Sequence, residues 1–299
     1  MFRYFFLLSV WMITSIGMTH AQQDTEVEET GLPGDNFSLE GALELFKKAS
    51  SPEDYEKLLN TQENHVNNLD LNEDGEIDYI QVINIQEKDA HVFILRVPVS
   101  DTENQDIAAI QLEKTRKDEA NIQIVGDEEI FGEEIILEPS DEESTPSEMK
   151  KGPYSPVLED DIIVVNVWAW PCVRFVYAPG YRPWISPWRW RYYPGWWKPW
   201  RPFGWTSWRP LRMHYHRPTI RVVHTHRLTR AHGMYKPVRV SSTTVRTRYA
   251  GAHANYKVTR SKTKVTGPRG SSVTKKTTTV KGPRGNTKAK KTTVKKSRK

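Results

Sequence analysis

The chain has 299 residues and a formal net charge of +6, a sum that hides two opposite parts: all 37 acidic residues lie at or before Asp161, with only 11 of the 43 lysines and arginines. The 32 basic residues beyond that point face no acidic residue, so the asymmetry itself points to electrostatic partners, inside the molecule or outside it. A single cysteine, Cys172, excludes an internal disulfide, and the absence of an activated serine or cysteine motif, a phosphate loop or a paired catalytic metal set argues against an enzyme.

Met1, Phe2 and Arg3 lead into an apolar stretch at 4–18, followed by Thr19, His20 and Ala21. This is the layout of a secretory signal over residues 1–21, with small residues before a cleavage point at Gln22. The alternative is an uncleaved anchor, but the stretch falls short of the roughly 20 apolar residues that a span wants. Export to the periplasm, outer membrane or cell surface is the expectation.

After an acidic leader at 24–29, Leu39, Ala42, Leu43 and Phe46 recur at i, i+3, i+4 and i+7, one face of a helix with Ser38 placed to cap it. A second helix starts at Ser51, with Pro52 in its first position, Asp54 three residues after the cap, and an apolar face of Tyr55, Leu58 and Leu59. Runs rich in β-branched residues follow at 77–85, 91–99, 107–114 and 122–125. Charged breaks at 87–89 and 116–119 suit an antiparallel meander. The third run also contains the helix formers Ala108, Ala109 and Leu112, and is assigned to strand on its pattern. Residues 31–139 are therefore read as an acidic α+β domain, a short helical pair on an antiparallel sheet.

Residues 140–160, dominated by Ser, Pro and charged side chains, read as a linker. A Trp-, Pro-, Arg- and His-rich segment follows at 161–240. Its opening apolar run, 162–177, is interrupted by Asn166, Pro171 and Arg174, which makes a membrane helix costly and predicts two short strands broken at Pro171. Cys172 within it reads as a packed side chain.

The basic Lys/Thr tail at 241–299 contains a fifteen-residue repeat, in which Val265 opens Val-Thr-Gly-Pro-Arg-Gly and Val280 opens Val-Lys-Gly-Pro-Arg-Gly. Each Gly-Pro-Arg-Gly suits a turn, so strand-turn-strand is one reading. With few large apolar side chains to bury, the composition favours a largely disordered tail.

The most specific local pattern is Asp70-Leu71-Asn72-Glu73-Asp74-Gly75-Glu76-Ile77-Asp78, which leads straight into an apolar strand. A hard cation takes six to eight oxygens at about 2.3–2.6 Å, and alternate residues of a tight loop can present them. Asp70, Asn72, Asp74 and Asp78 supply side-chain oxygens, Glu76 its backbone carbonyl, and Gly75 the turn. The alternative is an acidic turn using Asp and Asn for turn chemistry alone. The D-x-N-x-D-G-x-x-D pattern resembles the calcium loops of EF-hands and of FG-GAP repeats. It departs from the EF-hand at position 12, where Gln81 stands in a strand instead of a bidentate Glu. That implies a structural calcium site of modest affinity in place of a helix-pair switch.

The histidine pairs His214/His216 and His224/His226, with His232, form a weaker metal candidate. No carboxylate lies near them in sequence and their surroundings are basic, so an extended polar surface is the expected role. The whole arrangement resembles exported proteins of unassigned function from Bacteroidetes-type bacteria, a resemblance that implies no activity. The functional expectation is a non-enzymatic envelope or surface protein. Its partners are anionic polysaccharide, lipopolysaccharide or membrane surface, with DNA as the alternative and pairing between the acidic and basic halves as the internal one.

Overall fold

The computed structural model describes residues 29–140, 164–216, 219–266, 272–281 and 287–297. The predicted signal at 1–21, and all of the predicted linker except Ser140, lie outside the described residues.

Both predicted helices form with the expected caps. In α1 (Leu39–Lys48) the Ser38 hydroxyl accepts the Gly41 amide, and in α2 (Pro52–Leu59) the Ser51 hydroxyl accepts the Asp54 amide. Asp54 reaches back to accept the Ser50 amide at 2.8 Å, so an N-terminal donor on each side is satisfied. The four predicted strands are β1 (Gln81–Glu87), β2 (Ala90–Pro98), β3 (Asn104–Arg116) and β4 (Glu119–Gly126), an antiparallel meander as expected. The helix formers Ala108 and Ala109 stay in β3 because it is paired on both sides, with Leu95 and Ile94 across one ladder and Gly126 and Val125 across the other. Non-local pairing overrides a weak local preference.

The meander continues past the predicted strands. A short helix, α3 (Glu128–Phe131), turns the chain into β5 (Ile135–Pro139), and β5 pairs with β6 (Ile220–Val223) from the distant basic half. The basic half wraps the acidic one as a strap. It begins with α4 (Pro171–Val176), where two strands broken at Pro171 are the sequence expectation. Instead Pro171 occupies the first helical position, where its missing amide hydrogen costs nothing. No helix among the described residues is long and apolar enough to cross a membrane. Residues 184–186 then run along the outer edge of β1: the Asn84 amide donates to the Trp184 carbonyl at 2.7 Å and the Ser186 amide to the Val82 carbonyl at 3.1 Å. The strap continues through α5 (Trp205–Met213), β6, α6 (Thr229–Tyr235), α7 (Thr243–Arg248) and α8 (Ala250–Asn255). Residues 184–186 and β6 thereby cover the outer edges of β1 and β5, which would otherwise template further pairing.

The sheet is buried on both faces. Phe93, Leu95 and Val97 of β2 share one core with Leu43 and Phe46 of α1, Tyr55 and Leu59 of α2, and Cys172, Val173 and Val176 of α4. The alternate residues Val92 and Ile94 point the other way, beneath Leu228 and the Ala231 and Tyr235 side chains of α6. This explains why β2 reads as a nearly continuous apolar run. Each such core side chain contributes about 1.5–3 kcal/mol by leaving water. Cys172 is packed within that core, and burial pushes its thiol well above the ordinary range.

Because strap residues complete both cores, a chain ending at Pro139 is expected to lose cooperative unfolding. Urea titration followed by circular dichroism checks this. A sharp transition with the midpoint of the full chain would show that the acidic part is independent.

In the tail, composition favours disorder, whereas the backbone forms three antiparallel strands, β7 (Lys257–Thr266), β8 (Ser272–Lys281) and β9 (Thr287–Ser297). Their Val and Thr content favours a pleated backbone even without a large apolar payload. The register sets Val265 opposite Val273 and Val258 opposite Val280.

Candidate metal centre

The loop at 70–78 lies between a short 3-10 turn (Gln62–Asn64) and β1, with Leu69, Leu71 and Ile77 buried as its anchors. Asp70 accepts the Asp74 amide at 3.1 Å through Oδ1 and the Gly75 amide at 3.0 Å through Oδ2. Asn72 Oδ1 also accepts the Asp74 amide at 2.9 Å, and Asp74 Oδ1 accepts the Glu76 amide at 2.9 Å. These side-chain to backbone bonds wind the loop tightly, and they hold Glu73 and Gly75 at φ +58° and +84°. Gly75 tolerates that conformation without cost.

Asp78 closes the loop from inside. It is 5 % exposed, and its Oδ2 accepts the Leu71 amide at 2.6 Å. Burial, reinforced by the charges of Asp70 and Asp74, pushes its carboxyl up to about 8. Asp70 is raised too, chiefly by burial. Carboxyls raised by burial, with neighbouring negative charge adding to the effect, are an arrangement a divalent cation relieves. The donor chemistry therefore fits a hard cation, with Asp70, Asn72, Asp74 and Asp78 in the expected order and Glu76 exposed at the rim. The carboxylates of Asp70, Asp74 and Asp78 do not converge to within 4.8 Å of one another; among the described residues the one His/Cys/Asp/Glu group that does is elsewhere. Gln81, in the position of the missing bidentate ligand, donates its side-chain amide to the Trp188 carbonyl of the strap.

The strap also reaches this loop. Arg248 of α7 bonds the Leu71 carbonyl, and its Nε lies 3.2 Å from Glu73 Oε2, while Ile77 donates its amide to the Trp200 carbonyl at 2.8 Å. Similar contacts recur along the acidic half. Arg221 and Arg227 converge on Glu138, at 3.1 and 3.0 Å, and Arg239 meets Asp127 at 2.5 Å. Arg246 lies 3.2 Å from Glu129, and Arg212 donates to the Asp35 carbonyl at 3.0 Å. Trp208, fully buried, donates its indole hydrogen to that same carbonyl at 2.9 Å.

Sequence reasoning missed a heavily bonded buried carboxylate. Glu56, on the buried side of α2, accepts from Tyr79 Oη at 2.9 Å, the Val82 amide at 2.9 Å, Trp184 Nε1 at 3.0 Å and Ser186 Oγ at 2.9 Å. Burial raises its carboxyl above the ordinary range, and the four hydrogen bonds offset only part of that rise. An acidic residue three positions before the buried Leu59 was the only available signal.

Among the described residues the histidine grouping that gathers a carboxylate is not an H-x-H pair. His226 and His232 come together, and the carboxylate absent from their sequence neighbourhood arrives from the other half of the chain, with Glu134 Oε2 2.8 Å from His226 Nε2. The chain matches no family model, no curated protein and no solved structure.

Proposed function

We propose that this is a non-enzymatic protein of the cell envelope or surface, in which a calcium-stabilised acidic domain carries a basic segment to an anionic polymer or membrane surface. The observation that carries the reading is how the positive charge is divided between strap and tail. Arg212, Arg221, Arg227, Arg239, Arg246 and Arg248 of the strap bond to groups of the acidic half. Residues 257–299 hold 16 lysines and arginines and no acidic residue. The register sets Lys257 opposite Lys281 and Lys262 opposite Lys276. Like charges directly opposite cost stability, and an anionic polymer offsets that cost.

Anionic polysaccharide, lipopolysaccharide or an acidic membrane surface is favoured over single-stranded nucleic acid, because residues 257–299 contain no aromatic residue on which bases could stack. The tryptophans do not supply a general lipid anchor: Trp197 and Trp208 are buried, Trp184 bonds Glu56, and Trp196 alone is prominently exposed among the described tryptophans. Binding is therefore ionic and depends on counterion release.

The test compares the full chain with one ending at Tyr256 in co-sedimentation with phosphatidylglycerol vesicles, an acidic polysaccharide and duplex DNA. Tail-dependent binding to vesicles or polysaccharide at low salt is expected, collapsing between roughly 50 and 200 mM salt. Equal binding without the tail, or no binding to any of them at low salt, overturns the reading. Tail-dependent binding confined to DNA moves it to nucleic acid.

A further inference from the structure

We infer a second metal site, for a borderline transition ion of the zinc class, formed by Glu134, His226 and His232. Each offers one ligand atom, and those atoms all lie within 4.8 Å of one another. The site is assembled across the two halves of the chain: Glu134 immediately precedes β5, His226 follows β6, and His232 lies on α6. The pairing of Ile136 with Val223 sets the start of β5 beside the end of β6, which brings Glu134 to His226.

The surroundings fix the ligands. Gln123 holds the backbone on both sides of His226, accepting the Arg227 amide at 3.1 Å and donating to the Thr225 carbonyl at 3.0 Å. His232 is held by the first turn of α6, where its amide donates to the Leu228 carbonyl at 2.9 Å. The basic surroundings that oppose cation binding are partly neutralised, because Arg221 and Arg227 both pair with Glu138.

The imidazoles supply the independent observation. Their ring centroids are 3.8 Å apart, and the Nδ1 atoms of both are buried without a hydrogen-bond partner. Buried polar atoms are ordinarily satisfied, and two neighbouring rings with unpartnered nitrogens, next to a carboxylate 2.8 Å from His226 Nε2, hold donor capacity that an ion can use. Two imidazole nitrogens with one carboxylate oxygen select zinc-class ions over calcium, and leave a fourth tetrahedral position to solvent. Such an ion would clamp the strap to the acidic half at a point remote from the 70–78 loop.

The test is equilibrium dialysis of the full chain against Zn²⁺ with elemental analysis, and visible spectroscopy of the Co²⁺-loaded protein. One tightly held equivalent is expected, with tetrahedral Co²⁺ bands. The double variant His226→Asn/His232→Asn should bind more than about 100-fold more weakly, and Glu134→Gln, at an exposed position, about 10-fold or more with altered Co²⁺ bands. His214→Ala/His216→Ala should bind as the parent does. No tight equivalent in the parent, unchanged zinc affinity in Glu134→Gln, or loss of binding in the His214/His216 control overturns the assignment. Glu134→Gln keeps the test decisive if the double histidine variant does not fold.

Discussion

Replacing Glu56 with alanine is expected to lower stability by about 3–5 kcal/mol, because several buried donors lose their acceptor at about 1–3 kcal/mol each. Its carboxylate accepts four donors drawn from three places: Tyr79 ahead of β1, Val82 within it, and Trp184 and Ser186 on the strap. Alanine leaves all four without a partner in a site where Glu56 itself is 2 % exposed, and an unsatisfied buried donor forfeits its desolvation cost. The strap should also loosen along β1, since its bonds to Asn84 and Val82 flank these contacts. Urea unfolding measures the first effect and a red shift of tryptophan emission the second. Glu56→Gln, which keeps the shape but turns a donor toward donors, should fall between the two. A Glu56→Ala protein with the parent's midpoint and emission would mean that Glu56 does not join strap to sheet.

In chelator, stability should fall as pH rises from 4 to 8, and Asp78→Asn should remove the share of that fall due to this group. The carboxyl of Asp78 is held near 8 in the folded chain, against an ordinary value of 3.8, with burial the leading cause. Below the ordinary value both folded and unfolded states carry the proton. Between the two values the unfolded chain gives it up and the folded chain retains it, so folding loses up to about 1.4 kcal/mol per pH unit from this one group. The loss is complete once pH exceeds the folded value. Without metal, Asp78→Asn should accordingly melt above the parent at pH 8 and alongside it at pH 4.

Millimolar calcium should reverse the order at pH 8, raising the parent by stabilising the ionised carboxylate while leaving Asp78→Asn unmoved. Thermal melts at both pH values, with chelator and with calcium, give the four comparisons. A parent whose melting temperature ignores calcium at pH 8 would falsify the metal loop. A flat profile in chelator would instead show that Asp78 is better solvated than its position implies.

The two metal readings respond to different chemistry. The 70–78 loop offers oxygens in sequence order, so a local pattern exposes it. Glu134, His226 and His232 have no common sequence neighbourhood, and their ligand atoms converge only through the β5–β6 pairing and the start of α6.

What the amino-acid sequence determined by itself was local. Ser38 and Ser51 cap helices because their hydroxyls lie within reach of amides three residues on. The alternating runs place Phe93 and Leu95 on one side of the sheet and Val92 and Ile94 on the other, because strand side chains alternate. The winding of the 70–78 loop follows from short polar side chains bonding amides two to five residues away. Tertiary structure decided the rest. A net charge cannot say which arginine meets which carboxylate, and the strap's arginines meet theirs across separations such as 83 residues for Arg221 with Glu138 and 117 for Arg246 with Glu129. Pro171 suits both a break and a helix start, and only packing of α4 against α1 selects the second. Glu56 looked like one acid among many, since burial is conferred by Trp184 and Ser186 from the far half of the chain.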